Sequence, residues 1–306
     1  IVLGLGFVLS FGYWTTNFAE VQRALSAKNL SAARRTPLIA AFPKIFIVFV
    51  VMIPGLVAAA LVPKIGTEGS GLTYNDAVPL LMQELLPNGV LGIAVTGLLA
   101  AFMAGMAANV SSFNTVFTAD IWAEYVVKGR EDGYYLRFGR LVTALGVLAS
   151  IGTAFLAASF SNIMGYLQTL FSFFNVPMFV VFVIGMFWKR ASVKSGFWGL
   201  VAGTVAAMVN YFVVYKQGVI GIPTDQGANF VSAIVGFVAG AVVMVVVTLF
   251  TAPKPEAELA GLVYGTRSPG MDEAPSDGDG AWYRRPALLG WGAVVLAALC
   301  YLPYSF

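Results

Sequence analysis

Apolar residues run through this chain in blocks of about 20, and short polar stretches separate them. A block of that length can cross the hydrocarbon core of a bilayer as a helix. The expected spans cover residues 1–21, 37–62, 89–125, 138–160, 162–188, 196–215, 230–250 and 287–304. Pro37 would open the second span at its first turn. Residues 64–88 form a polar loop with a short apolar patch at 78–86. Charged turns follow at 128–137 and 189–195, and residues 251–286, rich in Pro, Gly, Glu and Asp, read as a flexible linker.

The third span is the expected structural centre. Gly97, Ala101, Gly105, Ala108, Ser112 and Thr115 recur at steps of four and three, so they share one helical face. Small residues on one face let another helix backbone come close. Asn109, Ser111, Ser112, Asn114 and Thr115 crowd the second half of the same span. Polar groups at membrane depth face protein or a wet cavity. The rest of the chain is therefore expected to pack around this helix, which would border an ion and solute pathway.

Composition agrees with the pattern. Of 306 residues 58% are hydrophobic and 11% charged, with mean hydropathy +0.81. A soluble globular chain carries about 25% charged residues. The expectation is an all-α polytopic membrane protein with about eight transmembrane helices. Alternating the loops puts fifteen of the 18 Lys and Arg residues on one side, and only Lys64 and Lys216 on the other. Lys44 lies within a span. This asymmetry marks the fifteen-residue side as cytoplasmic. The chain then reads as a multi-pass protein of the plasma membrane with linker 251–286 in the cytoplasm. Ile1 falls inside an apolar run, with no Met and no basic leader, which reads as a segment of a longer chain.

Several chemistries find no support. There is no His, and Cys300 stands alone, so neither a disulfide nor a cysteine metal cluster is expected. No P-loop, no GxSxG and no paired carboxylates appear. An enzyme, a bound cofactor and a nucleic-acid partner are not expected; a small-molecule solute and the lipid bilayer are.

Four polar residues stand out at membrane depth. Tyr13 and Trp14 lie about 20 Å of helix from Ile1, beside Gly12, Thr15, Thr16 and Asn17. The bland reading is an aromatic interface belt; the glycine and the hydroxyls favour a broken helix lining a cavity. Lys44 lies about 10 Å into its span, counted from Pro37. It would either snorkel to the interface or face the solute path. Gln168 would serve an interhelical hydrogen bond or a hydroxylated solute. Asp120 reads as a helix-end residue near the inner surface, with Arg137 or Arg140 as candidate partners.

The motifs YWTTNFAEVQRALSAKN, MIPGL, FTADIW and FGR, YLQTLFSFFNVP and GMFWKRASVKSGFWGL, in this order, resemble the sodium/solute symporter family and its sodium/glucose cotransporter branch. The resemblance implies two inverted five-helix repeats plus peripheral helices. Residues 1–188 would be the second repeat, 189–250 two peripheral helices, 251–286 the linker and 287–306 the last helix. An N-terminal half of the same transporter would be its partner. By the same resemblance Tyr13 matches an aromatic that closes the inner face of the sugar site, with Trp14 beside it. Lys44 and Gln168 match residues that contact sugar hydroxyls in members of the branch.

The family's sodium site is implied at Ala101, through its carbonyl, and at Ala104 and Gly105, where a pair of hydroxyl side chains is expected. Neither Ala104 nor Gly105 has a side-chain oxygen. Sodium, proton coupling through Lys44, uncoupled transport, and a sodium site at Ser111, Ser112 and Asn114 all stay open. The functional expectation is a symporter moving a sugar or polyol by alternating access; a solute sensor or a uniporter are the alternatives.

Overall fold

The computed structural model describes residues 8, 12, 13, 15–67, 70–160, 162–222, 224–266 and 285–301. Every regular element among them is helical: α1 (Phe18–Leu25), α2 (Leu30–Leu61), a 3-10 turn (Tyr74–Asp76), α3 (Ala77–Leu85), α4 (Asn88–Val126), α5 (Asp132–Ala157), α6 (Ile163–Phe187), α7 (Val193–Tyr215), α8 (Asp225–Phe250), α9 (Glu256–Leu259) and α10 (Pro286–Tyr301). Six of them, α2 and α4 to α8, are long and apolar enough to cross a membrane. The chain is an all-α polytopic membrane protein. Of the eight expected spans, 1–21 lies mostly outside the described residues. The last, α10, has 16 residues, short of the roughly 20 that a straight crossing takes.

Helix starts differ from the sequence expectation where side chains cap. Asn29 Oδ1 accepts the Ala32 N–H at 2.7 Å, so α2 begins at Leu30, and Pro37, Pro43 and Pro54 are all interior. Membrane helices tolerate such prolines because hydroxyls and neighbours satisfy freed backbone groups. Thr36 Oγ1 donates to the Ala32 carbonyl at 2.8 Å, beside Pro37.

The chain divides into two compact units, Ile1–Val21 with Met164–Ser276, and Gln22–Ile163 with Asp277–Phe306. In the first, α7 and α8 cross at glycines. A Cβ on Gly199 would stand 3.1 Å from the Gly240 carbonyl oxygen, and one on Gly203 2.8 Å from that of Gly236. Both helices therefore carry a GxxxG pair, Gly199/Gly203 and Gly236/Gly240, and their backbones touch. Polar side chains bond across the helices as well. Thr169 Oγ1 donates to Asn229 Oδ1 at 2.9 Å, and Asn210 Nδ2 to Ser232 Oγ at 2.9 Å.

Residues 251–266, expected as loose linker, fold back onto α6 in this unit. The Tyr264 N–H donates to the Met186 carbonyl at 2.7 Å, and the Tyr264 and Phe187 rings lie 5.5 Å apart. Leu259 and Val263 are buried, and Gly261 between them and Gly265 after them take positive φ (76° and 81°) at the turns.

In the second unit, α4 does not act as the packing centre. No described atom lies within 4 Å of a Cβ built on Gly97 or Gly105. The close contacts of α4 with α5 lie in its C-terminal half. Asn114 lies against Gly139, Phe113 against Gly146, and Trp122 stacks on Phe138 with centroids 4.1 Å apart. The close backbone approach that the small stripe suggested occurs instead between α7 and α8. Small residues permit close packing, but only a partner with its own small residues in register realises it. Asp120 is exposed, and no ion pair joins it to Arg137 or Arg140 among the described residues.

Candidate functional site

The first polar cluster sits at a helix break. Thr15 and Thr16 are helical, Asn17 is not, and α1 starts at Phe18. The Asn17 N–H still bonds the Tyr13 carbonyl at 2.9 Å, while Asn17 Oδ1 accepts the Ala19 N–H at 3.0 Å. The same residue thus ends one helical stretch and caps the next. Thr15 and Thr16 hydroxyls both donate to the Gly12 carbonyl, at 3.2 and 2.6 Å. Such bonds to the preceding turn compete with regular helix.

This segment rests on α6. The Tyr13 ring meets Phe171 edge-on, with centroids 5.9 Å apart. A Cβ on Gly12 would stand 3.1 Å from Asn175 Oδ1 and 3.0 Å from Phe179 Cβ. Phe171, Asn175 and Phe179 are spaced by four, so Gly12 and Tyr13 lie along one side of α6. Gln168 precedes Phe171 by three residues, one turn along that side.

α6 widens at this point. The Val176 N–H bonds the Phe171 carbonyl five residues back, a π turn over Phe171–Asn175. Pro177 gives a cause: it has no N–H to offer the Phe173 carbonyl, so the turn before it can open. Single π turns concentrate at functional sites. Two carboxamide oxygens flank this one, Gln168 Oε1 and Asn175 Oδ1. Both are buried with no hydrogen-bond partner among the described residues. A buried acceptor left unpaired costs about 1–3 kcal/mol. The next residue after Gln168 is instead engaged: the Thr169 hydroxyl lies 2.9 Å from both Asn229 Oδ1 and the Gly165 carbonyl, shares its one proton between them, and pins α6 to α8. The site helix is rigidly held yet carries unfilled acceptors.

The other sequence-derived residues fall elsewhere. Trp14 lies outside the described residues. Lys44 belongs to the second unit, directly after Pro43 on α2, with its side chain exposed. Because α2 starts at Leu30, Lys44 lies about 20 Å along it, nearer the middle than a start at Pro37 implies. Ala101, Ala104 and Gly105 are exposed on α4, and the Gly105 carbonyl accepts from Asn109 Nδ2 at 3.1 Å. Of the alternative trio, Ser111 is exposed, and the side-chain oxygens of the other two are engaged. Ser112 Oγ donates to the Ala108 carbonyl at 2.9 Å and accepts from Gln22 Nε2 at 3.2 Å. Asn114 Oδ1 accepts from Thr118 at 2.9 Å. No group of three or more Cys, Asp or Glu able to hold a metal occurs among the described residues.

The sequence alone assigns Asn175 no role. Its signal was local: an Asn two residues before a mid-span Pro. The glycine pairs of α7 and α8 were also legible as two GxxxG motifs in consecutive spans.

The sodium:solute symporter family model matches residues 1–203. Sodium/glucose cotransporter 4 of Danio rerio is 31% identical over 289 residues, covering 87% of this chain and 44% of the relative. Sodium/myo-inositol cotransporter 2 of Homo sapiens is 34% identical over 224 residues, 68% of this chain and 33% of the relative. Sodium/glucose cotransporter 1 of Oryctolagus cuniculus is 30% identical over 290 residues, 88% and 43%. The aligned segment spans less than half the length of each of these relatives. The match takes in the broken segment at Asn17, α2, α4, α5 and the π turn of α6, and on that evidence the chain belongs to the sodium:solute symporter family.

Proposed function

We propose that this chain forms part of a secondary transporter that moves a small polar solute, a sugar or polyol, by alternating access. The reading rests above all on Gln168, whose buried Oε1 is unfilled one turn from the ring that Tyr13 lays on α6. A hydroxylated solute would supply the missing donor. Tyr13, with Trp14, would cover the solute from the cytoplasmic side. Lys44 would add a cationic donor. The names of the relatives, which pair sodium with glucose or myo-inositol, support this class of solute. The protein would work in the plasma membrane with residues 251–286 on the cytoplasmic face, completed by an N-terminal half of the same transporter.

We further propose sodium as the coupling ion, through the Ala101 carbonyl and the positions of Ala104 and Gly105. These two lack side-chain oxygens, which favours a second reading, an uncoupled uniporter or a solute sensor. Uptake of glucose and myo-inositol into proteoliposomes under a sodium gradient, a proton gradient or none separates the readings. Sodium-driven accumulation is the expected result. Equilibration without accumulation selects the uniporter, binding without uptake selects the sensor, and neither binding nor uptake of any sugar or polyol sinks the proposal.

A further inference from the structure

Asn175 Oδ1, like Gln168 Oε1, differs from the other buried carboxamides of its unit. Asn229 Oδ1 accepts from Thr169, and Asn210 Nδ2 donates to Ser232. Both bonds hold helices together. Asn175 Oδ1 holds nothing among the described residues, yet it is shut away from solvent. An apolar residue of the same size would fill that space without leaving an acceptor unpaired. An amide oxygen that costs stability where it stands is accounted for if it is bonded in another state of the protein.

The oxygen is faced by a segment that ends at a helix break. The cover is Gly12, which has no side chain and sits five residues before the helix break at Asn17. Among the described residues, the Tyr13 ring meets α6 edge-on at Phe171. When the segment lifts, Asn175 Oδ1 opens on the side of α6 that carries Phe171 and Phe179, one to two turns beyond Gln168. The chemistry of the uncovered spot is specific. It offers one neutral acceptor between two aromatic residues. The carbonyl of Gly12 already takes two threonine hydroxyls, and one amide oxygen is too few to replace the hydration shell of a cation. A hydroxyl on a ring with an apolar face fits both parts.

We propose that Asn175 is a second solute-binding residue, a hydroxyl-accepting subsite about two turns along α6 from Gln168 that Gly12 caps in this conformation. This rests on the transport reading for the class of solute. It adds a specificity element that neither the family match nor the motifs assign. Water and a solute hydroxyl share the required chemistry, and the test tells them apart.

The test is equilibrium binding of glucose, myo-inositol and each monodeoxyglucose to the purified protein in lipid nanodiscs, since binding does not depend on transport. Wild type is expected to bind one deoxy analogue at least about fivefold more weakly than glucose, the loss of one buried hydrogen bond. In Asn175→Leu that discrimination disappears, Asn175→Ser keeps part of it, and Gln168→Ala leaves it in place. Where Asn175→Leu gives no folded or no binding protein, Asn175→Ser decides alone, and reduced discrimination supports the subsite. Discrimination equal to wild type in the Asn175 variants overturns it, and means that water or nothing meets the oxygen. Wild type that binds no sugar or polyol overturns the subsite together with the solute class. Wild type that binds but does not accumulate solute overturns only the transport reading.

Discussion

Gly203 on α7 and Gly236 on α8 meet backbone to backbone: a Cβ on Gly203 would stand 2.8 Å from the Gly236 carbonyl oxygen, and one on Gly236 3.0 Å from that of Gly203. Pro177 Cβ of α6 closes the same spot from the third side at 2.9 Å. Carbonyl and proline cannot step aside as a flexible side chain would, so a larger residue must part the helices. Gly203→Val is expected to cost about 1–3 kcal/mol, the usual range for overpacking. Gly105→Ala, with no described atom within 4 Å, should stay within about 1 kcal/mol of wild type and gain helix propensity. Thermal unfolding of both variants in detergent checks the pair. Equal melting of Gly203→Val and wild type would remove this contact from the folding account.

Thr169 and Asn229 form the buried polar tie between α6 and α8, 2.9 Å long, with Asn229 fully buried. Inside a membrane such bonds are worth less than intuition suggests, about 0.6 kcal/mol on average and up to about 1.7. A double-mutant cycle with Thr169→Val and Asn229→Leu should therefore return a coupling of about 0.5–1.5 kcal/mol. A coupling of zero would mean that the α7–α8 glycine contact alone fixes the positions of these helices.

The six long helices among the described residues were legible because apolar run length is nearly all that a spanning helix needs. Starts were less legible. Asn29 captures the α2 start through one side-chain bond, seven residues ahead of the more conspicuous Pro37. The centre of packing was misjudged for a related reason. The stripe from Gly97 to Thr115 and the pairs Gly199/Gly203 and Gly236/Gly240 carry the same kind of signal, and sequence does not say which stripe finds a partner. In the candidate site, Tyr13 and Gln168 were found as polar residues in apolar spans. Asn175 was passed over because its role depends on a π turn, and a π turn depends on where one missing N–H at Pro177 falls.

Asp76 gives the loop between α2 and α3 a pH dependence with a definite sign. Its carboxylate accepts the Thr73 N–H at 2.7 Å and the Thr73 hydroxyl at 2.8 Å. These bonds, the backbone one first, hold its pKa below the ordinary carboxylate value. A depressed folded pKa stabilises the turn at every pH above the unfolded value, and the stabilisation is lost as pH falls through the folded value. Amide exchange over residues 70–77, corrected for intrinsic rates, should be flat from neutral pH down to about 5 and rise only below the ordinary carboxylate pKa of about 4. Asp76→Asn should show the raised exchange at all pH values. A turn that opens between pH 5 and 7 would assign the effect to another group.

Gln168 permits a test in which stability and function move in opposite directions. Its Oε1 has no described partner to lose, so Gln168→Leu removes an unpaired buried acceptor. Melting should stay equal or rise, since replacing an unsatisfied polar group with an apolar one of similar size is neutral to favourable. If the oxygen serves the solute, the same change should raise the half-saturation concentration for uptake about three- to tenfold, the worth of one neutral hydrogen bond. Initial rates of glucose and myo-inositol uptake in proteoliposomes give the second value, and differential scanning fluorimetry the first. A variant that melts lower and transports normally would make Gln168 a structural residue with an interhelical partner. One that melts as wild type and transports with unchanged affinity would take Gln168 out of the solute path.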